Sequence, residues 1–275
     1  MIVVLTCYSF PQCSFASRQG VFELMDAIIQ QQLDQIESDY GVRILLAVES
    51  GSRAWGIASP DSDYDVRFIY WHPQDWYLSV FEQRDVIELP VDDVLDISGW
   101  ELRKALRLLW KSNAALLEWL HSPLVYRADA KRALLDALVP FAFLPLSSGH
   151  HYLAMARQSQ QALLNNERVT LKRYCYALRA ALCCQWISRY QQVPPVPFRA
   201  LLNELVDPAT AVHAHITRLL ADKHHALERD RALRDPVLDD FLTGLLAECE
   251  ASLPDNPSQR EQSDFDAALR AIIRE

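Results

Sequence analysis

Two aspartates two positions apart, with a Gly-Ser pair a short way before them, are the residues of this sequence whose types and spacing could do chemistry. They lie in Glu49-Ser50-Gly51-Ser52-Arg53-Ala54-Trp55-Gly56 and in Asp61-Ser62-Asp63-Tyr64-Asp65-Val66-Arg67. Glycine lets a backbone come close to a phosphate. A helix starting behind it would add free N–H groups and a favourable dipole, and the Ser52 hydroxyl one more donor. On a strand, residues two apart share a face, so Asp63 and Asp65 would aim at one spot. Paired carboxylates there suit Mg²⁺, a hard ion that takes oxygen ligands and keeps waters and substrate phosphates. A calcium loop of the EF-hand kind is excluded, because its sixth position would be Val66 and its twelfth His72 instead of Gly and Glu. Pro60-Asp61-Ser62-Asp63 is also good turn composition. Asp-x-Asp alone would not outweigh that reading; the Gly-Ser pair and the run before it do.

The elements that must position these residues can be read around them. Residues 43–50, RILLAVES, are an apolar run bounded by Gly41 and Gly51, as in a buried strand. Residues 66–71 are β-branched and aromatic and read as a second strand. Residues 85–90 and 92–98 read as two more, punctuated by Pro90. Ahead of them, Leu24, Ile28, Leu33 and Ile36 give residues 21–39 a helical period. After Gly99 the pattern is helical: one helix to about residue 120, then candidates over 127–139, 147–165, 168–191, 197–205, 208–227, 236–252 and 260–274. Pro123, Pro145, the 193–197 segment, Pro208, Pro236 and the 254–258 segment break them. The pattern predicts an α+β domain over 21–122 and an all-helical domain over 123–275. Residues 1–20 fit neither and read as a loose extension, upstream of a start at Met25.

Bulk properties bound the function. The chain has 275 residues, half of them hydrophobic, with formal net charge -9 and pI about 5.4. That disfavours a global electrostatic grip on nucleic acid, although a local basic patch would not show in the total. Of six cysteines, Cys175, Cys183 and Cys184 share an apolar helical stretch, and none has zinc-site spacing. We expect free thiols in a reducing cytoplasm, and no apolar run reaches membrane-spanning length.

Other residues carry weaker signals. Arg53 and Arg67 flank the site and could bind triphosphate oxygens; a surface or structural ion pair is the other reading, standing level with it for Arg67. Glu49 could orient either arginine or cap a turn. Lys104, Arg107 and Lys111 share a face of the helix after Gly99 and, with Arg103, form a basic ridge; such a ridge could draw in a polyanion, but is more often a solvated face. Lys172, Arg173, Tyr174 and Tyr176 open a long later helix, where Lys172 or Tyr176 could reach a phosphate or a base, core packing being at least as good a reading of the tyrosines. The pairs His150-His151, His213/His215 and His224-His225 lack metal-site spacing. Ser52 has no companions for acyl transfer.

Gly51-Ser52 followed after a gap by Asp63-x-Asp65 resembles the signature of the DNA polymerase β-type nucleotidyltransferases. GSRAWG, DSDYDVR, Trp76-Tyr77-Leu78-Ser79 and LRKAL…KSNAALLEWL resemble, more closely, a bacterial family of predicted nucleotidyltransferases; LKRYCYALRAALCCQWI (171–187) adds a softer likeness. The resemblance implies a short mixed sheet with helices on one side, then a helical domain that often closes over the nucleotide. It implies a third carboxylate on a later strand, for which Asp96 is the candidate and Asp92 and Asp93 compete. It implies two Mg²⁺ ions held by Asp63, Asp65 and Asp96, with Gly51, Ser52, Arg53, Arg67, Lys172 and Tyr176 around a nucleoside triphosphate. The expected reaction moves a nucleoside monophosphate to a hydroxyl acceptor and releases pyrophosphate. The acceptor (an RNA end, a protein or a small molecule) stays open, because a fold does not fix a substrate. The alternative is a non-catalytic, nucleotide-binding module of the same fold, regulatory or antitoxin-like, favoured if Asp96 lay far from Asp65.

Overall fold

The computed structural model describes residues 15–90, 94–256 and 261–274. By its contacts the chain forms two compact units, Met1–Val42 and Arg43–Glu275. The first contains helix α1 (Phe15–Tyr40). It begins ahead of the expected start at residue 21 and takes in the end of the stretch expected to be loose; residues 1–14 lie outside the described residues.

The second unit opens with strand β1 (Arg43–Glu49), the single turn α2 (Gly51–Ala54), strand β2 (Tyr64–Trp71), the short helix α3 (Gln74–Tyr77) and strands β3 (Val86–Glu88) and β4 (Leu95–Glu101). Helices α4 (Leu102–Trp110) and α5 (Ala114–Leu120) follow, then strand β5 (Val125–Ala128). The five strands form one sheet in the order β3-β4-β2-β1-β5. β2 and β4 run parallel, and every other pair is antiparallel. The expected mixed sheet is therefore present. β1 is buried along nearly its whole length, which is why its sequence is a continuous apolar run and not an alternation.

Three sequence expectations shift. Gly99 does not end the strand. It pairs with Phe68 in the β2–β4 register, and a Cβ there would come within 2.3 Å of the Phe68 ring, so the glycine admits the ring and the strand runs on to Glu101. The expected single helix from Gly99 to residue 120 is two. The Glu101 carboxylate caps α4 by accepting from the Arg103 N–H (2.8 Å); Ser112 then takes a positive φ, and Asn113 caps α5 by accepting from the Leu116 N–H (3.0 Å). Residues 127–139 are not one helix but the end of β5, then α6 (Arg132–Asp136) and α7 (Val139–Ala142). The exposed edge of β1 overrides local helical propensity here: Glu49 N–H donates to the Leu124 carbonyl and Asp129 N–H to the Leu45 carbonyl, each at 2.9 Å. The sheet thus draws its fifth strand from beyond residue 122.

The remainder is α8 (Pro145–Leu164), β6 (Arg168–Thr170), α9 (Leu171–Tyr190), α10 (Phe198–Leu205), α11 (Ala211–His225), β7 (Arg231–Leu233), α12 (Pro236–Ser252) and α13 (Gln262–Ile273). It is helical except for the two-stranded ribbon β6–β7. α9 is its central helix and packs most closely on α8. Cys175, Cys183 and Cys184 are fully buried on α9, and burial pushes the thiols of Cys175 and Cys183 up to about 12, so these cysteines are inert packing groups. Cys7 and Cys13 lie outside the described residues. Among the described residues no single helix is long and apolar enough to cross a membrane.

Candidate active site

Asp65 lies one residue into β2, and Asp96 one residue into β4. The parallel register sets the two opposite each other. One nitrogen of Arg67, Nη2, donates to Asp65 Oδ1 (3.0 Å) and to Asp96 Oδ2 (2.7 Å). The two carboxylates are therefore separated by no more than two hydrogen-bond lengths. Nη1 of the same guanidinium donates to the Asp96 carbonyl at 3.0 Å and the Val66 carbonyl at 3.1 Å. Asp92 and Asp93, the competing residues, lie outside the described residues.

Asp63 was expected on the strand; it lies instead one residue ahead of β2, and is exposed. Arg53 holds it there: Nε donates to the Asp63 carbonyl (2.8 Å) and Nη2 to the Ser62 carbonyl (2.6 Å), while the guanidinium lies 3.6 Å from the centroid of the Tyr64 ring. Asp63 still sits in the field of Asp65. Burial raises the Asp65 pKa above its ordinary value; Arg67 opposes this, and Asp63 and Asp96 add to it.

Gly51 closes the site from the other side. Its φ is +60°, and a Cβ there would come within 2.3 Å of Asp65 Oδ2. Ser50 N–H donates to the Asp65 carbonyl (2.8 Å), which ties the turn to β2. Ser52 is buried in α2. The helix expected behind the Gly-Ser pair is this single turn.

Beneath them lies Glu49, fully buried. It accepts from the Asp65 N–H (2.8 Å) and from the Tyr126 hydroxyl, and its carbonyl accepts from Ser122 Oγ (2.6 Å). Burial pushes its pKa up to about 7, against the lowering effect of the Tyr126 and Asp65 hydrogen bonds. Glu49 does not pair with either arginine; it fixes the backbone from which Asp65 projects.

The helical part supplies two supports. Around the aspartate turn, Glu228 accepts from Ser62 Oγ (2.7 Å) and pairs with Lys223 Nζ (2.9 Å) and Lys172 Nζ (3.2 Å); its backbone N–H donates to Asp61 (3.0 Å). Lys223 is buried and also donates to Ser59 Oγ. Lys172 stands beside Asp63 and Tyr176. Burial alone would lower its pKa, but Tyr176, Glu228 and Asp63 carry it upward. Burial raises Tyr176, and Asp65 and Asp63 add to that. The second support lies under α2. Trp55 Nε1 donates to Glu118 (2.9 Å), Arg179 pairs with Glu118 (2.8 Å), and the Arg179 guanidinium lies over the Trp55 ring. Arg179 also donates to the Val196 carbonyl, and Tyr152 donates to Glu118.

Of the sequence candidates, Gly51, Ser52, Arg53, Asp63, Asp65, Arg67, Asp96, Lys172 and Tyr176 are thus drawn into one neighbourhood. The basic ridge is engaged differently: Arg103 lies over Tyr77 and Lys104 pairs with Asp85 (2.9 Å). Tyr174 serves packing, bonded to Asp239 (2.7 Å). Sequence reasoning missed Glu228, Lys223, Glu118, Arg179 and Tyr126. No local signal could have found them, since each meets the site across scores of residues.

The donor set fits a hard divalent cation. Three carboxylates crowd one region, Asp63 and Asp96 both near enough to Asp65 to raise its pKa, and all three offer oxygen donors. The glycine leaves Asp65 Oδ2 bare of side chain on that side. Among the described residues no three acids already form a finished ligand set, and the Arg67 guanidinium stands between two of them.

A family-wide sequence profile described as "RNA repair pathway DNA polymerase beta family" matches residues 25–271. The chain belongs to that family. It is accordingly a nucleotidyltransferase-like protein, as the Gly-Ser and Asp-x-Asp motifs implied. It is similar to "Uncharacterized protein YcgL" of Bacillus subtilis (strain 168), with 48% identity over 215 residues, covering 78% of this chain and 82% of that one. Among solved structures it is similar to a nucleotidyltransferase-like protein from Exiguobacterium sibiricum 255-15, with 14% identity, a TM-score of 0.32, and coverage of 89% of this chain and 79% of that one.

Proposed function

We propose that this member of the RNA repair pathway DNA polymerase beta family transfers a nucleoside monophosphate from a nucleoside triphosphate to a hydroxyl group at an RNA end. The β2–β4 register carries the reading, because it sets Asp65 beside Asp96 next to the Gly51 turn. The family description favours RNA over a protein or small-molecule acceptor.

In this reading Asp63, Asp65 and Asp96 would hold Mg²⁺. Bound there, Mg²⁺ would supply the positive charge that lowers the pKa of an attacking hydroxyl and offsets charge on a leaving pyrophosphate. The rest falls to the chain. Gly51 lets the triphosphate approach the backbone. Ser52 donates to a phosphate oxygen, and Lys172 neutralises another. Tyr176, one turn along α9 from Lys172, offers a face for the base. Arg53 and Glu49 act as positioning residues, one holding the Asp63 turn and the other the Asp65 backbone. The acceptor oxygen forms a bond to the α-phosphorus as the bond from that phosphorus to the β-bridging oxygen breaks. The hydroxyl proton leaves toward Asp96, and pyrophosphate departs. Arg67, which the sequence suggested as a phosphate ligand, bonds Asp65 and Asp96; it must release them for the acids to hold a cation.

That same contact favours a second reading, a nucleotide-binding module without turnover, in which Arg67 permanently neutralises the acids. One experiment separates the two. The protein is incubated with Mg²⁺ and each α-labelled nucleoside triphosphate in the presence of total cellular RNA and protein. Label entering RNA, and lost in Asp63→Ala and Asp65→Ala, supports transfer. Nucleotide binding without label transfer to any acceptor supports the module instead.

A further inference from the structure

A second constellation lies outside the candidate active site. Helix α4 leaves the end of β4 opposite Asp96, about 17 Å along the strand. Arg103, Arg107 and Lys111 recur on it every fourth residue, so they line one face with a rise of about 6 Å between successive cations. Against that face packs α13, and between the two helices runs a cleft of about 440 Å³. Arg103, Arg107 and Lys111 line it together with Trp110, Phe265, Gln262 and Asp266, over a floor of leucines. Trp110 and Phe265 meet edge to face, with centroids 5.2 Å apart. Arg107 and Lys111 are exposed. Among the described residues neither pairs with an acid, whereas Lys104 on the neighbouring face pairs with Asp85.

We infer that this cleft binds a single-stranded segment of RNA, with successive phosphates along the Arg103–Arg107–Lys111 row and a base against Trp110 and Phe265. A cationic track beside aromatic rings is how single strands are held without a globally basic protein. The volume lies in the range of small-ligand sites, enough for one nucleotide unit, with the row of cations along its lining to take the phosphates. Gln262 and Asp266, one turn apart on α13, present an amide and a carboxylate to the edge of the base. The choice of RNA over DNA rests on the proposed function; the strand-binding chemistry does not.

The test separates the two. Binding is measured by fluorescence anisotropy in EDTA, using the Asp63→Ala/Asp65→Ala protein and a fluorescein-labelled single-stranded RNA of a dozen nucleotides. Failure of nucleotidyl transfer in the wild-type protein leaves this readout intact. Arg107→Glu/Lys111→Glu, both at exposed positions, is expected to weaken binding at least tenfold and to reduce the slope of log affinity against log salt by about 1.4. Trp110→Leu is expected to weaken binding without changing that slope. Unchanged affinity in the charge-reversal variant overturns the inference, as does absence of RNA binding by the parent. Complete displacement of the RNA by ATP at equal phosphate concentration overturns the strand reading, because it assigns the cleft to a free nucleotide. Equal affinity for DNA of the same sequence overturns the RNA preference.

Discussion

At the scale of single residues, the site is governed by who stands next to Asp65. The two-residue period that aligns one aspartate with another on a strand also aligns Arg67 with Asp65. Its pairing with a carboxylate was therefore legible in the sequence, where an ion pair and a phosphate contact stood as equal readings of Arg67. In Arg67→Gln, Asp65 and Asp96 face each other with no cation between them. Its melting temperature in EDTA is expected to fall by several degrees, and millimolar Mg²⁺ is expected to restore most of the loss, because the ion replaces the guanidinium. An equal fall with and without Mg²⁺ would contradict a cation site. Glu49 was visible only as a carboxylate near a strand end; its burial and its bond to the Asp65 N–H were not. Its pKa of about 7 makes a separate prediction. Between its ordinary value and about pH 7, the folded chain keeps a proton that the unfolded chain releases, so stability falls as pH rises through that window and levels off above it. The fall attributable to Glu49 is on the order of 3 kcal/mol. Urea titrations of Glu49→Gln in metal-free buffer are expected to lack this part of the slope.

At the scale of elements, local pattern succeeded where one segment decides its own fate. β1, α9, α10 and α12 appear close to where their periodicities put them, because an apolar run or stripe is a local property. β5 was missed because VYRA has little pattern of its own and becomes a strand by meeting the β1 edge. The boundary of β4 was missed because Gly99 serves a ring on the neighbouring strand. The supports of the site are likewise long-range. Arg179 is 2% exposed and joins α9 to α5, to the turn under Gly51 and to the segment before α10. Arg179→Met is expected to lower unfolding free energy by roughly 3–5 kcal/mol, since it strands the Glu118 carboxylate in the interior; chemical denaturation checks this. Glu228→Gln keeps the size of the side chain but loses its charge toward Lys172 and Lys223. Hydrogen exchange is expected to show faster opening of the amides of residues 57–63, with little change in the central sheet. Unchanged exchange there would remove Glu228 as a support of the Asp63 turn.

At the scale of the whole molecule, net charge and constellation give different messages, and both were legible. A formal net charge of -9 disfavours a general affinity for polyanions, yet the cations are not spread evenly. Lys172 and Arg53 flank the acids, and Arg107 and Lys111 line the α4–α13 cleft. What could not be read was that α13, from the far end of the chain, would supply the opposite wall of that cleft. Pairings between segments far apart in sequence are fixed by packing, and no window along the chain contains both partners.

The Asp61 and Ser62 contacts of Glu228 have a temporal consequence. Every acid and glycine of the candidate site has left the ribosome long before residue 228 is synthesised. Until then the loop carrying Asp63 has no anchor on its outer side, and until Val196 emerges the carbonyl that Arg179 grips under α2 does not yet exist. A nascent chain can pair β1, β2 and β4 early and so set Asp65 and Asp96 against the glycine turn, yet the Asp63 turn gains its Glu228 anchor only when translation is well into the last quarter. Premature termination between Asp96 and that point would yield a polypeptide that carries every acid and glycine of the site and lacks the outer anchor of its Asp63 turn.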